Sequence, residues 1–261
     1  RDLEAGVRIP DSAARFCIAA PRELDLDAAG RLGKPYYSFR PCAGWRFCVL
    51  DPYEVSLLSA GGGRPGLELG ASDLDAQALA LCQANNPNDI MRDNFARGLE
   101  HGPGRRWVPL NGAVGDEQLE WLRRTLARAG AAGERTVILS HVVLHPLATT
   151  GGNGLTLLWN YEAVLDRLRL APLPPVAVLC GHAHEGAAVV DEAAGTHHVT
   201  FASPLEVGLG EDACAIVEAF ADGSMRIRGR GRVPSARLVA GRRAEGAGPA
   251  GECGRAAAEE K

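Results

Sequence analysis

The chain has 261 residues, 46% of them apolar and 23% charged, which is ordinary for a globular protein and long enough to bury a core in one large or two small domains. A formal net charge of −4 offers no basic face to a phosphate backbone, so no nucleic-acid and no membrane partner is expected. No apolar run reaches the roughly 18 residues that a membrane-spanning helix needs.

Seven scattered cysteines, with no Cys-x-x-Cys among them, fit reduced thiols and a cytoplasmic or similarly reducing compartment rather than a disulfide framework. The first residue is Arg1 and no signal-peptide pattern follows, so the chain reads as a fragment, a processed product or an incomplete gene model.

Residues 1–35 form a turn-rich lead-in with weak periodicity. Tyr36 to Phe39 and Trp45 to Leu50 read as strands on either side of a Pro41-Cys42-Ala43-Gly44 turn, the second enriched in β-branched and aromatic residues and ending at Asp51. Residues 61–66 are a glycine-rich loop. Ser72 to Asn85 is expected to be a helix, with Ser72 as its N-cap and Asn86-Pro87-Asn88 closing it. Asp116 to Ala129 carries Leu119, Leu122, Leu126 and Ala129 on one face, acidic residues at its start and Gly130 as its stop. Val137-Ile138-Leu139-Ser140 reads as a strand that ends at His141. A helix over about Tyr161 to Leu170 then leads through prolines to a second buried strand, Pro175 to Cys180. This order is α/β with parallel central strands.

Farther on, Ala187–Val190, Thr196–Phe201, Ala213–Phe220 and Met225–Arg230 read as antiparallel strands, with Asp222-Gly223 as a hairpin turn. Residues 240–261 are expected to be a disordered tail behind a single domain over 1–239.

The chemistry concentrates in Gly181-His182-Ala183-His184. Open α/β sheets hold ligands at the carboxyl ends of their strands, and two imidazoles at i and i+2 behind a glycine can serve two metals, or two positions on one. His141, at the end of another buried strand, is the third candidate ligand. Together they point to a metal-dependent hydrolase. The other histidines read as structural. His145 precedes Pro146 in a loop, His197 and His198 point to opposite faces of one strand, and His101 lies in a surface loop. Arg228, Arg230 and Arg232 alternate with glycine and read as a solvated strand edge, and Cys180 as a core thiol.

Ser140-His141 followed by Gly181-His182-Ala183-His184 resembles the carboxyl half of a calcineurin-like metallophosphoesterase. Phe47 to Ser56, Asn86-Pro87-Asn88, Asn111 to Leu122, Trp159-Asn160-Tyr161 and Gly229 to Pro234 narrow the resemblance to the manganese-dependent ADP-ribose/CDP-alcohol diphosphatases, over about residues 34 to 235. It implies a four-layer α-β-β-α sandwich, truncated at the amino end. It further implies two Mn²⁺ ions, His141 and His182 on one metal and His184 on the other, and a nucleoside-diphosphate-type substrate whose pyrophosphate is hydrolysed. Trp159, Asn160 and Tyr161 fall where such a substrate is contacted.

The family's upstream Asp-x-His, Gly-Asp and Gly-Asn-His are not found, and their place would lie before Arg1. Three neutral imidazoles do not offset the charge of two divalent cations, and Mn²⁺ also prefers oxygen ligands. The chain by itself is therefore expected to bind metal weakly and turn over little. The alternatives are a non-catalytic remnant that binds a nucleotide or a partner, and another phosphoesterase of the same superfamily.

Overall fold

The structure, a computed structural model, describes residues 25–27, 34–58, 73–90, 92 and 94–241. The start of the lead-in, the 61–66 loop, Ser72 and the tail beyond 241 lie outside the described residues.

In chain order the strands are β1 (Asp25–Leu26), β2 (Tyr37–Cys42), β3 (Trp45–Val49), β4 (Val55–Ser56), β5 (Gly112–Ala113), β6 (Arg135–Ser140), β7 (Ala177–Cys180), β8 (Ala187–Asp191), β9 (Thr196–Thr200), β10 (Ala213–Ala219), β11 (Met225–Gly231) and β12 (Ala236–Leu238). The helices are α1 (Asp73–Asn85), α2 (Asp116–Ala131) and α3 (Tyr161–Arg169). A seven-stranded sheet runs β1-β2-β3-β6-β7-β9-β8, a three-stranded sheet runs β10-β11-β12, and β4 pairs with β5.

The centre of the large sheet is parallel. β3, β6, β7 and β9 pair parallel in turn, while β2 and β8 join antiparallel at its flanks. All four residues of β7 are buried, as a strand covered on both faces requires. One face receives α2 and α3, with Leu119, Leu122, Leu126, Val164, Leu165 and Leu168 packed against Cys48, Ile138 and Val178. The other face packs Val137, Ala177 and Leu179 against Met225, Ile227 and Leu238 of the smaller sheet. The order is thus helix, sheet, sheet. Where four layers are expected, no described helix belongs to the core of the smaller sheet, and its outer face exposes Ile216 beside ion-paired arginines.

Two local expectations are corrected. Gly130 does not stop α2 but lies within it, where a Cβ would come 3.1 Å from Pro172 Cβ. The helix ends at Ala131 and is capped by Ala132, whose N–H reaches the carbonyls of Arg128 and Ala129, and Gly133 turns the chain at φ +66. β9 is antiparallel only to β8, being parallel to β7 on its other side. β11 is the middle strand of its sheet, but β12 pairs only with Met225–Ile227, so the exposed Arg228 and Arg230 lie where β11 is paired with β10 alone, on a solvated edge as expected.

Candidate metal centre

β6 and β7 are parallel neighbours in register, Ser140 opposite Cys180, so the residues that follow them emerge at the same end of the sheet. This brings His141 and His182 together, with ring centroids 5.0 Å apart and planes inclined at 58°. Gly181 makes the approach possible. Its N–H donates to the His141 carbonyl at 3.1 Å, and a Cβ there would stand 3.4 Å from His141 Nδ1.

His182 is the one non-glycine residue among those described with a left-handed backbone, at φ +65. That conformation costs an L-residue roughly 1–2 kcal/mol and persists only where the surroundings enforce it. Here Asn111, fully buried, brings its Oδ1 to 2.9 Å from His182 Nε2. The neighbouring Gly112 sits so close to the Pro52 carbonyl that a Cβ would come within 2.5 Å of it.

Burial sets the protonation of the pair. It pushes His182 down to about 4, helped by repulsion from His141 and His184. Burial also lowers His141, with a further contribution from His184. Both rings are therefore neutral near pH 7, the state in which imidazole is a metal ligand. His184 stands nearer solvent. It acts on the other two rings electrostatically, while its Nδ1 lies 2.8 Å from Glu206 Oε1. Two further groups border this end of the sheet. The Tyr53 ring lies 6.0 Å from that of His141, and Asp51 follows β3, its carboxyl raised by burial and its Oδ1 accepting the Tyr53 N–H at 3.0 Å.

The Trp159-Asn160-Tyr161 run is divided by the structure. Trp159 is 1% exposed, pairs with Trp107 at 5.9 Å and donates its backbone N–H to the Gly112 carbonyl. Asn160 spends its amide on Val114, accepting from that residue's N–H at 3.1 Å and donating to its carbonyl at 2.7 Å. Tyr161 lines a cavity of about 340 Å³ with His145, Leu165 and Arg169, and the Arg106 guanidinium lies 5.3 Å from its ring centre.

The remaining histidines take structural positions. His145 Nδ1 accepts the Leu147 N–H and starts a short 3₁₀ turn, Pro146–Ala148, with its ring 4.9 Å from that of the buried His198. His197 faces the other way and donates from Nε2 to the Val239 carbonyl at 2.9 Å, and His101 is exposed. Arg228 and Arg230 pair with Glu218 and Asp212, and Arg232 donates to the Glu206 carbonyl at 3.0 Å. The Cys180 thiol is pushed up to about 12 by burial.

Asn111, Glu206 and Tyr53 touch the candidate ligands without having been singled out individually in the sequence. Asn111 lies in a run that carries the family resemblance, but no spacing rule ties it or Glu206 to a histidine in another part of the chain.

No family model matches the chain. It is 34% identical over 189 residues to a manganese-dependent ADP-ribose/CDP-alcohol diphosphatase of Oryza sativa, covering 72% of this chain and 54% of the relative. Proteins of the same name from Arabidopsis thaliana and Homo sapiens are each 30% identical, covering 80% and 76% of this chain and 62% and 52% of their own lengths. The chain thus spans about half the length of the curated relatives it matches. Among solved structures, a dimetal phosphatase from Danio rerio aligns with a TM-score of 0.69 at 29% identity, covering 78% of this chain and 60% of the other.

Proposed function

We propose that this chain, which belongs to the family of the manganese-dependent ADP-ribose/CDP-alcohol diphosphatases, supplies the imidazole side of a manganese centre that hydrolyses the pyrophosphate of ADP-ribose or a CDP-alcohol. The observation that carries the reading is the meeting of His141 and His182, neutral and 5.0 Å apart, at the carboxyl end of two adjacent parallel strands.

The donor set fits Mn²⁺ in part. His141, His182 and His184 would take part in holding the ions, but among the described residues no group of three or more His, Cys, Asp or Glu stands close enough together to hold a metal ion. Mn²⁺ also takes oxygen donors, and three imidazoles leave its charge uncompensated, so the chain by itself is proposed to bind the metal weakly and turn over little. When bound, the metal would polarise the phosphoryl oxygens as a Lewis acid. The chain's own residues present neutral nitrogen at fixed positions and keep the floor of the site dry through Ile138, Val178 and Cys180. Tyr161 and its cavity are proposed to meet the substrate, with Trp159 and Asn160 setting the start of α3 beneath it. The free thiols of Cys42, Cys48, Cys82, Cys180 and Cys214 support a proposed cytoplasmic location. Among the described residues no helix is long and apolar enough to cross a membrane.

The test is Mn²⁺-dependent release of AMP from ADP-ribose and of CMP from CDP-choline by a polypeptide of the relatives' full length that carries this chain. His182→Ala is expected to lower the rate at least about 100-fold, since a metal contributes several kcal/mol and each 1.4 kcal/mol is tenfold. Equal turnover by the variant contradicts the reading.

A further inference from the structure

We infer that Arg232 is a further substrate-binding residue, a guanidinium held beside the Gly-His-x-His loop to take a phosphoryl oxygen of the nucleoside diphosphate. The role rests on the diphosphatase reading for its substrate, and on the geometry of the last hairpin for the anion-binding group itself.

β11, β12 and the turn between them carry five arginines, and four of these face a carboxylate. Arg226 and Arg228 share Glu218 at 2.6 and 3.4 Å, Arg230 meets Asp212 at 2.7 Å, and Arg237 meets Asp222 at 3.3 Å. Arg232 differs. Among the described residues its guanidinium has no carboxylate partner, and its Nη1 donates instead to the backbone carbonyl of Glu206 at 3.0 Å. A carbonyl dipole orients a guanidinium without cancelling its charge. Arginine stays protonated at any working pH and presents five N–H donors in a fork that matches a pair of phosphoryl oxygens. One bond to Glu206 leaves most of that fork free.

The backbone that carries Arg232 is tightly prescribed. A Cβ on Gly229 would collide with the Val233 carbonyl, and one on Gly231, at φ +64, with the Asp212 carbonyl, so both flanking positions require glycine. The Arg232 N–H closes the turn on that same Asp212 carbonyl at 2.9 Å. Glu206 then links the turn to the candidate metal centre. Its carbonyl takes Arg232, while its Oε1 lies 2.8 Å from His184 Nδ1. Glu206 ends a 3₁₀ turn, Pro204–Glu206, capped by the Ser203 side chain, and Ser203 donates its own N–H to the His184 carbonyl at 2.9 Å. A single residue thus separates the unpaired guanidinium from the histidine loop. Burial keeps His141 and His182 neutral, so they bring no charge of their own to an anionic substrate. Arg232 supplies a fixed positive charge beside them, in the geometry that phosphoryl oxygens favour.

The experiment uses a polypeptide of the relatives' full length that carries this chain. Calorimetry without Mn²⁺ measures the binding of ADP-ribose and of inorganic pyrophosphate, and steady-state kinetics with Mn²⁺ give KM and kcat for ADP-ribose. Arg232→Gln is expected to weaken both ligands about 10- to 100-fold, the range for charge-assisted hydrogen bonds, and to raise KM by a like factor with kcat little changed. Arg232→Lys keeps the charge but not the fork and is expected to fall between the two. Arg230→Gln removes an arginine already spent on Asp212 and is expected to bind as the wild type does. The Arg232 side chain is exposed, so none of these changes opens the core. Equal affinities and KM in the wild type and Arg232→Gln, or a loss of the same size in Arg230→Gln, overturn the inference. A fall in kcat with ligand affinity unchanged also overturns it, since that marks a support of the loop and not a contact to substrate. A loss of pyrophosphate affinity confined to the Arg232 variants, in a polypeptide that hydrolyses no substrate, supports the anion site and instead overturns the diphosphatase reading.

Discussion

A buried histidine is informative because of what it refuses to do. His198 is 2% exposed, neither ring nitrogen has a hydrogen-bond partner, and burial followed by repulsion from His145 pushes its pKa down to about 3. A histidine whose folded pKa lies below its unfolded value of about 6.5 is held neutral by the fold. Its contribution to stability is complete above the unfolded value and is lost as the pH falls through the window from 6.5 to 3. Linkage bounds the loss between pH 7 and pH 5 at about 2 kcal/mol for this one group. Replacing the ring by an apolar side chain removes the titration, so His198→Leu is expected to flatten the fall in urea midpoint between those two pH values. A variant as acid-sensitive as the wild type would show that the ring does not titrate as its burial requires. At this scale the sequence was legible where a residue's role is written in its own neighbours. Gly181-His182-Ala183-His184 announces itself, and the opposite faces of His197 and His198 follow from strand geometry. Asn111 was not legible as a support for His182, because its contact spans 71 positions and depends on an amide orientation that two distant carbonyls decide.

Helix α2 shows what an element owes to its pattern and what it owes to context. Leu119, Leu122, Leu126 and Ala129 face the sheet as their spacing requires, with Leu122 wholly buried. Truncating it removes apolar contact and leaves a cavity, so Leu122→Ala is expected to cost about 2–5 kcal/mol in denaturant unfolding, the range for such core deletions. A cost below about 1 kcal/mol would mean that the helix does not seal the sheet as described. The same helix passes through Gly130, which a local rule assigns to its end. Packing decides otherwise, because the missing Cβ admits Pro172. The strands teach a similar lesson. Their positions follow from alternating or continuous apolar runs, whereas their neighbours do not. Nothing in Thr196–Phe201 tells it to lie parallel to β7, nor in Met225–Arg230 to take the centre of a sheet. Pairing is long-range, and a period of two is silent about partners.

In the whole molecule, helices, a seven-stranded sheet and a three-stranded sheet stack so that the carboxyl ends of β3, β6 and β7 open on one side, and the candidate ligands stand there. The α/β class and the parallel centre could be read in advance from the order of elements; the layering could be expected only through resemblance. The proposed role of this end of the sheet is that His141 and His182 are brought together to hold manganese. Its most direct test is anomalous scattering from crystals, grown with Mn²⁺, of a polypeptide of the relatives' full length that carries this chain. The expected result is a manganese peak within bonding distance of His141 and of His182, absent from crystals of His182→Ala. A peak elsewhere, or one that survives that substitution unchanged, would contradict it.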